Sequence, residues 1–66
     1  MKQVIIDALN SGAQVRFYFD KEDFFTATEL IDHFPEDYNF IQVSQNGKRV
    51  RIINLSQVAS IQLSII

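Results

Sequence analysis

Apolar and polar positions alternate over much of this chain, and that alternation predicts strands. From Ala13 to Phe19, the apolar Val15, Phe17 and Phe19 alternate with Gln14, Arg16 and Tyr18. Period two is the mark of a strand with one buried face. Near the end, Ala59, Ile61, Leu63 and Ile65 alternate with Ser60, Gln62 and Ser64, with no charge in the run. Between them, two apolar runs flank Asn46-Gly47, the dipeptide that best fits a turn needing φ > 0 at both central residues. A two-residue loop there pairs Gln45 with Lys48, Ser44 with Arg49, Val43 with Val50 and Gln42 with Arg51. The same register continues to Ile41–Ile52, Phe40–Ile53 and Asn39–Asn54. It places Ile41, Val43, Val50 and Ile52 on one apolar core face. The opposite face is polar at the turn and apolar at Phe40 and Ile53, so it predicts a cover there, either the N-terminal helix or another subunit.

The remaining segments are shorter. Lys2 to Leu9 reads as a helix through the pairs Val4–Ala8 and Ile5–Leu9, with Gly12 as its end or the turn beyond it. Its β-branched Val4, Ile5 and Ile6 make it dependent on docking. Asp20-Lys21-Glu22-Asp23 is a charged, solvated turn. Phe24 to Phe34 has two readings. Thr26-Ala27-Thr28-Glu29 can open a helix as a capping box, stopped by Pro35. Phe24-Phe25-Thr26-Ala27-Thr28 also has strand composition, and a barrel needs a second strand before Asn39, so a long bent strand is the preferred reading. Pro35-Glu36-Asp37 and Leu55-Ser56-Gln57 read as turns.

Composition narrows the class. The chain has 66 residues, 47% of them hydrophobic, and no cysteine, which makes residues 1–66 a single small domain. A domain of this size buries only about 60% of its unfolded surface and usually needs support. Without cysteines, and with one histidine, disulfides and soft metal sites are excluded, which leaves self-association. No apolar run approaches the roughly 18–20 residues of a membrane span. The first residues are too acidic for a secretion signal. The expected location is the cytoplasm. All eight acids lie between Asp7 and Asp37, whereas Lys48, Arg49 and Arg51 follow with no acid after them. A net charge of −2 disfavours non-specific nucleic-acid binding, which is driven by phosphate neutralisation.

The candidate chemistry is sparse. Asp32 and His33 are adjacent, but no nucleophile accompanies them. The acids lack the spacing of a calcium loop, and Gly12 and Gly47 are the only glycines, too few for a phosphate-binding loop. We expect no enzyme activity, no cofactor and no small-molecule substrate. Lys48, Arg49 and Arg51, with Arg16 and the aromatic Tyr18, Tyr38 and Phe40, have the composition of a base-stacking surface. The simpler reading is charge that keeps a hairpin soluble and unpaired.

A helix followed by five short strands resembles a small SH3-like barrel, most closely the Sm-like branch. The run Val50-Arg51-Ile52-Ile53-Asn54-Leu55-Ser56-Gln57-Val58-Ala59-Ser60-Ile61-Gln62-Leu63 resembles the second Sm motif: an apolar strand, a short polar turn and a V-x-x-I-x-L strand. It is similar also to YolD-like small barrels of bacteria. The match covers mainly residues 39–63. The resemblance implies a mostly β, five-stranded barrel with a short N-terminal helix, assembled as a ring in which the fourth strand of one subunit pairs with the fifth strand of the next. It also implies an RNA rim, mapping here to Tyr38 and Asn39 and to Asn54 and Leu55, where the family's Arg-Gly pair is replaced. The expectation is therefore a non-enzymatic scaffold that self-associates, with Phe40, Ile53, Ile61 and Leu63 at the interface. The alternative is RNA binding through Tyr38, Asn39, Asn54, Lys48, Arg49 and Arg51.

Overall fold

The computed structural model describes residues 1–64; the predicted strand positions Ile65 and Ile66 lie outside the described residues. The chain opens with α1 (Lys2–Asn10) and continues through β1 (Gln14–Tyr18), β2 (Phe24–Ala27), β3 (Glu29–Asp32), β4 (Phe40–Gln45) and β5 (Arg49–Asn54). A single 3-10 turn, Leu55–Gln57, leads into β6 (Ser60–Ser64). The strands form two three-stranded antiparallel sheets, ordered β2-β1-β6 and β3-β4-β5. The architecture is mostly β with one short N-terminal helix. Among the described residues it is not a closed barrel, because β5 and β6 each pair on one side only.

Phe24 to Asp32 is a bent strand rather than a helix. Its two halves, β2 and β3, join at Thr28, where the Thr28 N–H donates to the Ser44 carbonyl (2.8 Å) and the Asn46 N–H donates to Thr28 Oγ1 (2.8 Å). Thr28 thereby carries the chain from one sheet to the other, and five predicted strands become six. A register shift follows between Leu30 and Asp32, so Ile31 and Asp32 together oppose Gln42, as in a β-bulge.

The core is shared by both sheets and the helix. Ile5 and Leu9 of α1 pack with Val15, Phe17, Phe25, Ala27, Ile41, Val43, Ile53 and Leu55. The helix has no side-chain N-cap, so its formation rests on docking Ile5 and Leu9. Its end is conventional. Gly12 at φ +90° lets the Ala13 N–H reach the Ala8 carbonyl (3.0 Å), a conformation that glycine adopts without a Cβ penalty.

The β4–β5 register differs from the predicted one by one residue. Asn46 and Gly47 have φ of 55° and 70°, and the Lys48 N–H donates to the Gln45 carbonyl (3.0 Å), as the Asn-Gly signal requires. Yet Gln45 pairs with Arg49, not Lys48, and the ladder continues through Ser44–Val50, Val43–Arg51, Gln42–Ile52, Ile41–Ile53 and Phe40–Asn54. One extra residue in the loop moves every β5 side chain to the other face. Val50 and Ile52, expected in the core, are each 56% exposed, while Ile53, expected on the outer face, is 1% exposed. The way out of β5 explains the choice. Leu55 is buried in the core, and Ile53 lies two residues before it on the same face. Arg49 and Arg51 share that face and reach Phe25 and Phe19 at the edge of the core.

Candidate interaction surfaces

The predicted site residues fall into two groups at opposite ends of the β4–β5 hairpin. Tyr38 and Asn39 precede β4, and Asn54 ends β5. The Leu55 N–H donates to the Asn39 carbonyl (2.6 Å), so the two segments expected to form a rim do meet. Tyr38 is 91% exposed. Asn54 is committed locally: its Oδ1 accepts from the Ser56 N–H (3.1 Å) and from Ser56 Oγ (2.7 Å), capping the 3-10 turn. Lys48 sits at the other end, about 20 Å away at the usual rise of a strand.

The arginines are not free cations on an open sheet face. The Arg51 guanidinium lies 4.7 Å from the Phe19 ring centre and 5.6 Å from that of Phe25, and Arg49 lies 5.8 Å from Phe25. Stacking of this kind is worth about 0.5–1 kcal/mol at exposed sites and leaves the outer rims of both groups in water. Arg16 belongs to the other sheet. Its Nε donates to Thr26 Oγ1 (3.1 Å) and its Nη1 to the Tyr18 hydroxyl (3.4 Å), which in turn donates to Gln62 Oε1 (3.2 Å). The guanidinium also covers Phe24 at 4.8 Å. This network ties β1, β2 and β6 together across their outer face.

The predicted interface residues are also divided. Phe40 and Leu63 are exposed, Ile61 is half-buried against the core and Ile53 is buried. Ile53 therefore presents no side chain to a partner, a correction that follows from the register. Leu63 pairs with Val15 and Ile61 with Phe17, both core residues, so Leu63 lies on the core side of an edge strand and is still 45% exposed. A shallow apolar cleft runs beside it, lined by Val4, Ala8, Ala13 and Leu63 with Asp7 at its rim. At β5 a second cleft lies along the other edge, with Phe19, Arg51 and Ile53 among its walls.

Asp32 and His33 do not form a base–orienter pair. The Asp32 carboxylate accepts the Phe34 N–H (2.9 Å) and His33 is exposed. Among the described residues no three His, Asp or Glu side chains converge as a metal site, and no helix is long and apolar enough to cross a membrane.

The fold and surfaces together define a small mostly β protein, two antiparallel sheets with a docked helix, in which β5 and β6 each have one strand neighbour among the described residues. No family model matches the chain, and comparison with curated proteins and with solved structures finds no match.

Proposed function

We propose that the protein is a non-enzymatic, Sm-like interaction module that self-associates through the outer edges of β5 and β6. One observation carries this reading: followed through the bent β2–β3 strand, the sheet path runs from β6 to β5, and among the described residues neither end has a further neighbouring strand. Unpaired edges are templates for another strand unless shielded. Here β6 carries no charge, and each edge lies beside a cleft. A second copy joining β5 to β6 would continue the sheet and cover Leu63 and Val4. The helix-first order and the meeting of Asn39 with Leu55 support the Sm-like resemblance.

Light scattering tests the proposal. The native protein is expected at a multiple of the 7.6 kDa chain mass, and Leu63→Lys at the single-chain mass with its fold retained. A wild-type mass of one chain at several hundred micromolar removes the proposal.

RNA binding is a second reading, favoured by the exposed Tyr38 ring beside the Asn39–Leu55 contact. It predicts binding of a uridine-rich single strand that weakens on Tyr38→Ala. Titration without a signal at low salt disposes of it.

A further inference from the structure

The outer face of the β3–β4–β5 sheet has an ordered composition that self-association through strand edges does not use. Across each register row, side chains from the three strands share the face. One row is Glu29–Ser44–Val50, and the next is Asp32–Gln42–Ile52, with Ile31 beside Asp32 in the bulge. The columns therefore differ. β3 supplies carboxylates, β4 supplies small or neutral polar groups, and β5 supplies exposed Val50 and Ile52. Beyond Ile52 the apolar column opens into a cleft of about 580 Å³, walled by Phe34, Pro35 and Phe40, with Glu36 and Asp37 beside them.

No basic side chain in these rows offsets the acids. Arg49 and Arg51 point to the other face of the sheet, over Phe25 and Phe19. Lys2 donates to the carbonyls of Phe34 and Asp37 behind the cleft. On the middle strand, in the row nearest the hairpin turn, the Ser44 hydroxyl is buried and has no hydrogen-bond partner.

We propose that this face docks a cationic amphipathic polypeptide segment of a partner protein. The partner's apolar side chains would lie along Val50 and Ile52 toward Phe40 and the cleft, and its Lys or Arg side chains along Glu29 and Asp32. Charge complementarity selects this occupant. A second copy stacked face to face about a twofold axis sets the acidic column against acids or against Val50 and Ile52, and both pairings are unfavourable. A nucleic acid meets the acids with its phosphates.

The probe is a labelled peptide of roughly 18 residues, long enough to form a helix, with leucines along one face and lysines along the other. Its counterpart carries glutamates in place of the lysines. Fluorescence anisotropy is expected to show the lysine peptide binding at least about tenfold tighter than the glutamate peptide. The preference should shrink at about 1 M salt, where the screening length falls to about 3 Å. Glu29→Lys with Asp32→Lys is expected to weaken binding about tenfold. Asp20→Lys with Glu22→Lys changes net charge equally in the β1–β2 turn and is expected to leave binding nearly unchanged. Ile52→Gln should weaken it through the apolar column, and amide NMR shifts should map to Gln42, Val50 and Ile52. Equal weakening by the two charge reversals would overturn the proposal, since attraction would then be global. So would shifts confined to the Asp20–Asp23 turn, or a uridine-rich oligonucleotide that competes at Ile52. Circular dichroism on each variant separates lost binding from lost fold. Light scattering on the same samples reads the edge association separately.

Discussion

On the outer face of the β2–β1–β6 sheet, Arg16, Thr26, Tyr18 and Gln62 form a continuous hydrogen-bonded chain, and the Arg16 guanidinium covers Phe24. On the outer face of the β3–β4–β5 sheet, Val50 and Ile52 stand exposed beside Gln42 and a buried hydroxyl with no partner. Both inner faces contribute apolar residues to one core, with Arg49 and Arg51 of β5 at its edge. The difference teaches where to look for function. The first outer face has side-chain partners for its polar groups and partial cover for its aromatic ring. The second leaves apolar groups in water and a polar group dry, the reverse of what each prefers.

Substitutions can break or sharpen this contrast. The largest effect should come from the neighbours Ile53 and Ile52. Ile53→Ala removes a fully buried side chain and is expected to cost about 2–5 kcal/mol. A chain of this length has roughly 3–10 kcal/mol in total, so the loss should show as a much lower urea midpoint or as partial unfolding before any urea is added. Ile52→Ala, one residue away, should cost under about 1 kcal/mol. Equal losses would mean that the two residues do not face opposite sides.

A smaller effect is expected at the turn that sets the hairpin. Gly47 has φ +70°, and a methyl group there would meet only the Glu29 carboxylate, at an ordinary contact distance of 3.7 Å. Gly47→Ala should therefore cost about 1–2 kcal/mol through backbone conformation alone, visible as a lower melting temperature with an unchanged fold. Gly47→Asn, which tolerates the left-handed region better, should recover part of the loss.

The networked outer face predicts a modest loss. Arg16→Ala removes one well-placed hydrogen bond and the cover of Phe24, and about 1 kcal/mol is expected from such contacts. Arg16→Lys should not restore it, because an ammonium lacks the planar guanidinium fork. Full recovery by lysine in a chemical denaturation series would show that charge alone matters there.

The smallest effect should have the opposite sign. Ser44→Ala replaces a buried hydroxyl that has no partner, so stability should be unchanged or rise by up to about 1 kcal/mol. A loss of more than about 1 kcal/mol would show that the hydroxyl has a partner in solution, and the contrast between the two faces would narrow.

The sequence by itself determined the helix at the start, the strands at Gln14–Tyr18 and Ser60–Ser64 and the left-handed Asn46-Gly47 turn, whereas Phe24–Phe34 kept both a helix and a strand reading until pairing with β1 and β4 decided for strand. Those features are local: period two, β-branched composition and the φ that a turn dipeptide tolerates. Of the proposed interaction residues, the outward position of Phe40 follows from alternation along β4; Tyr38 was mapped from the Sm-like resemblance, and the place of Leu63 on an edge strand came from the sheet order. Tertiary structure decided the rest. β5 has apolar residues at Val50, Ile52 and Ile53, two of them in succession, so the pattern within the hairpin admits both registers. The core chose Ile53 because Leu55 must be buried next, and because Arg49 and Arg51 find aromatic rings on that side. That choice, made by residues distant in sequence, turned Val50 and Ile52 outward beside Glu29 and Asp32 and created the face on which the proposed docking rests.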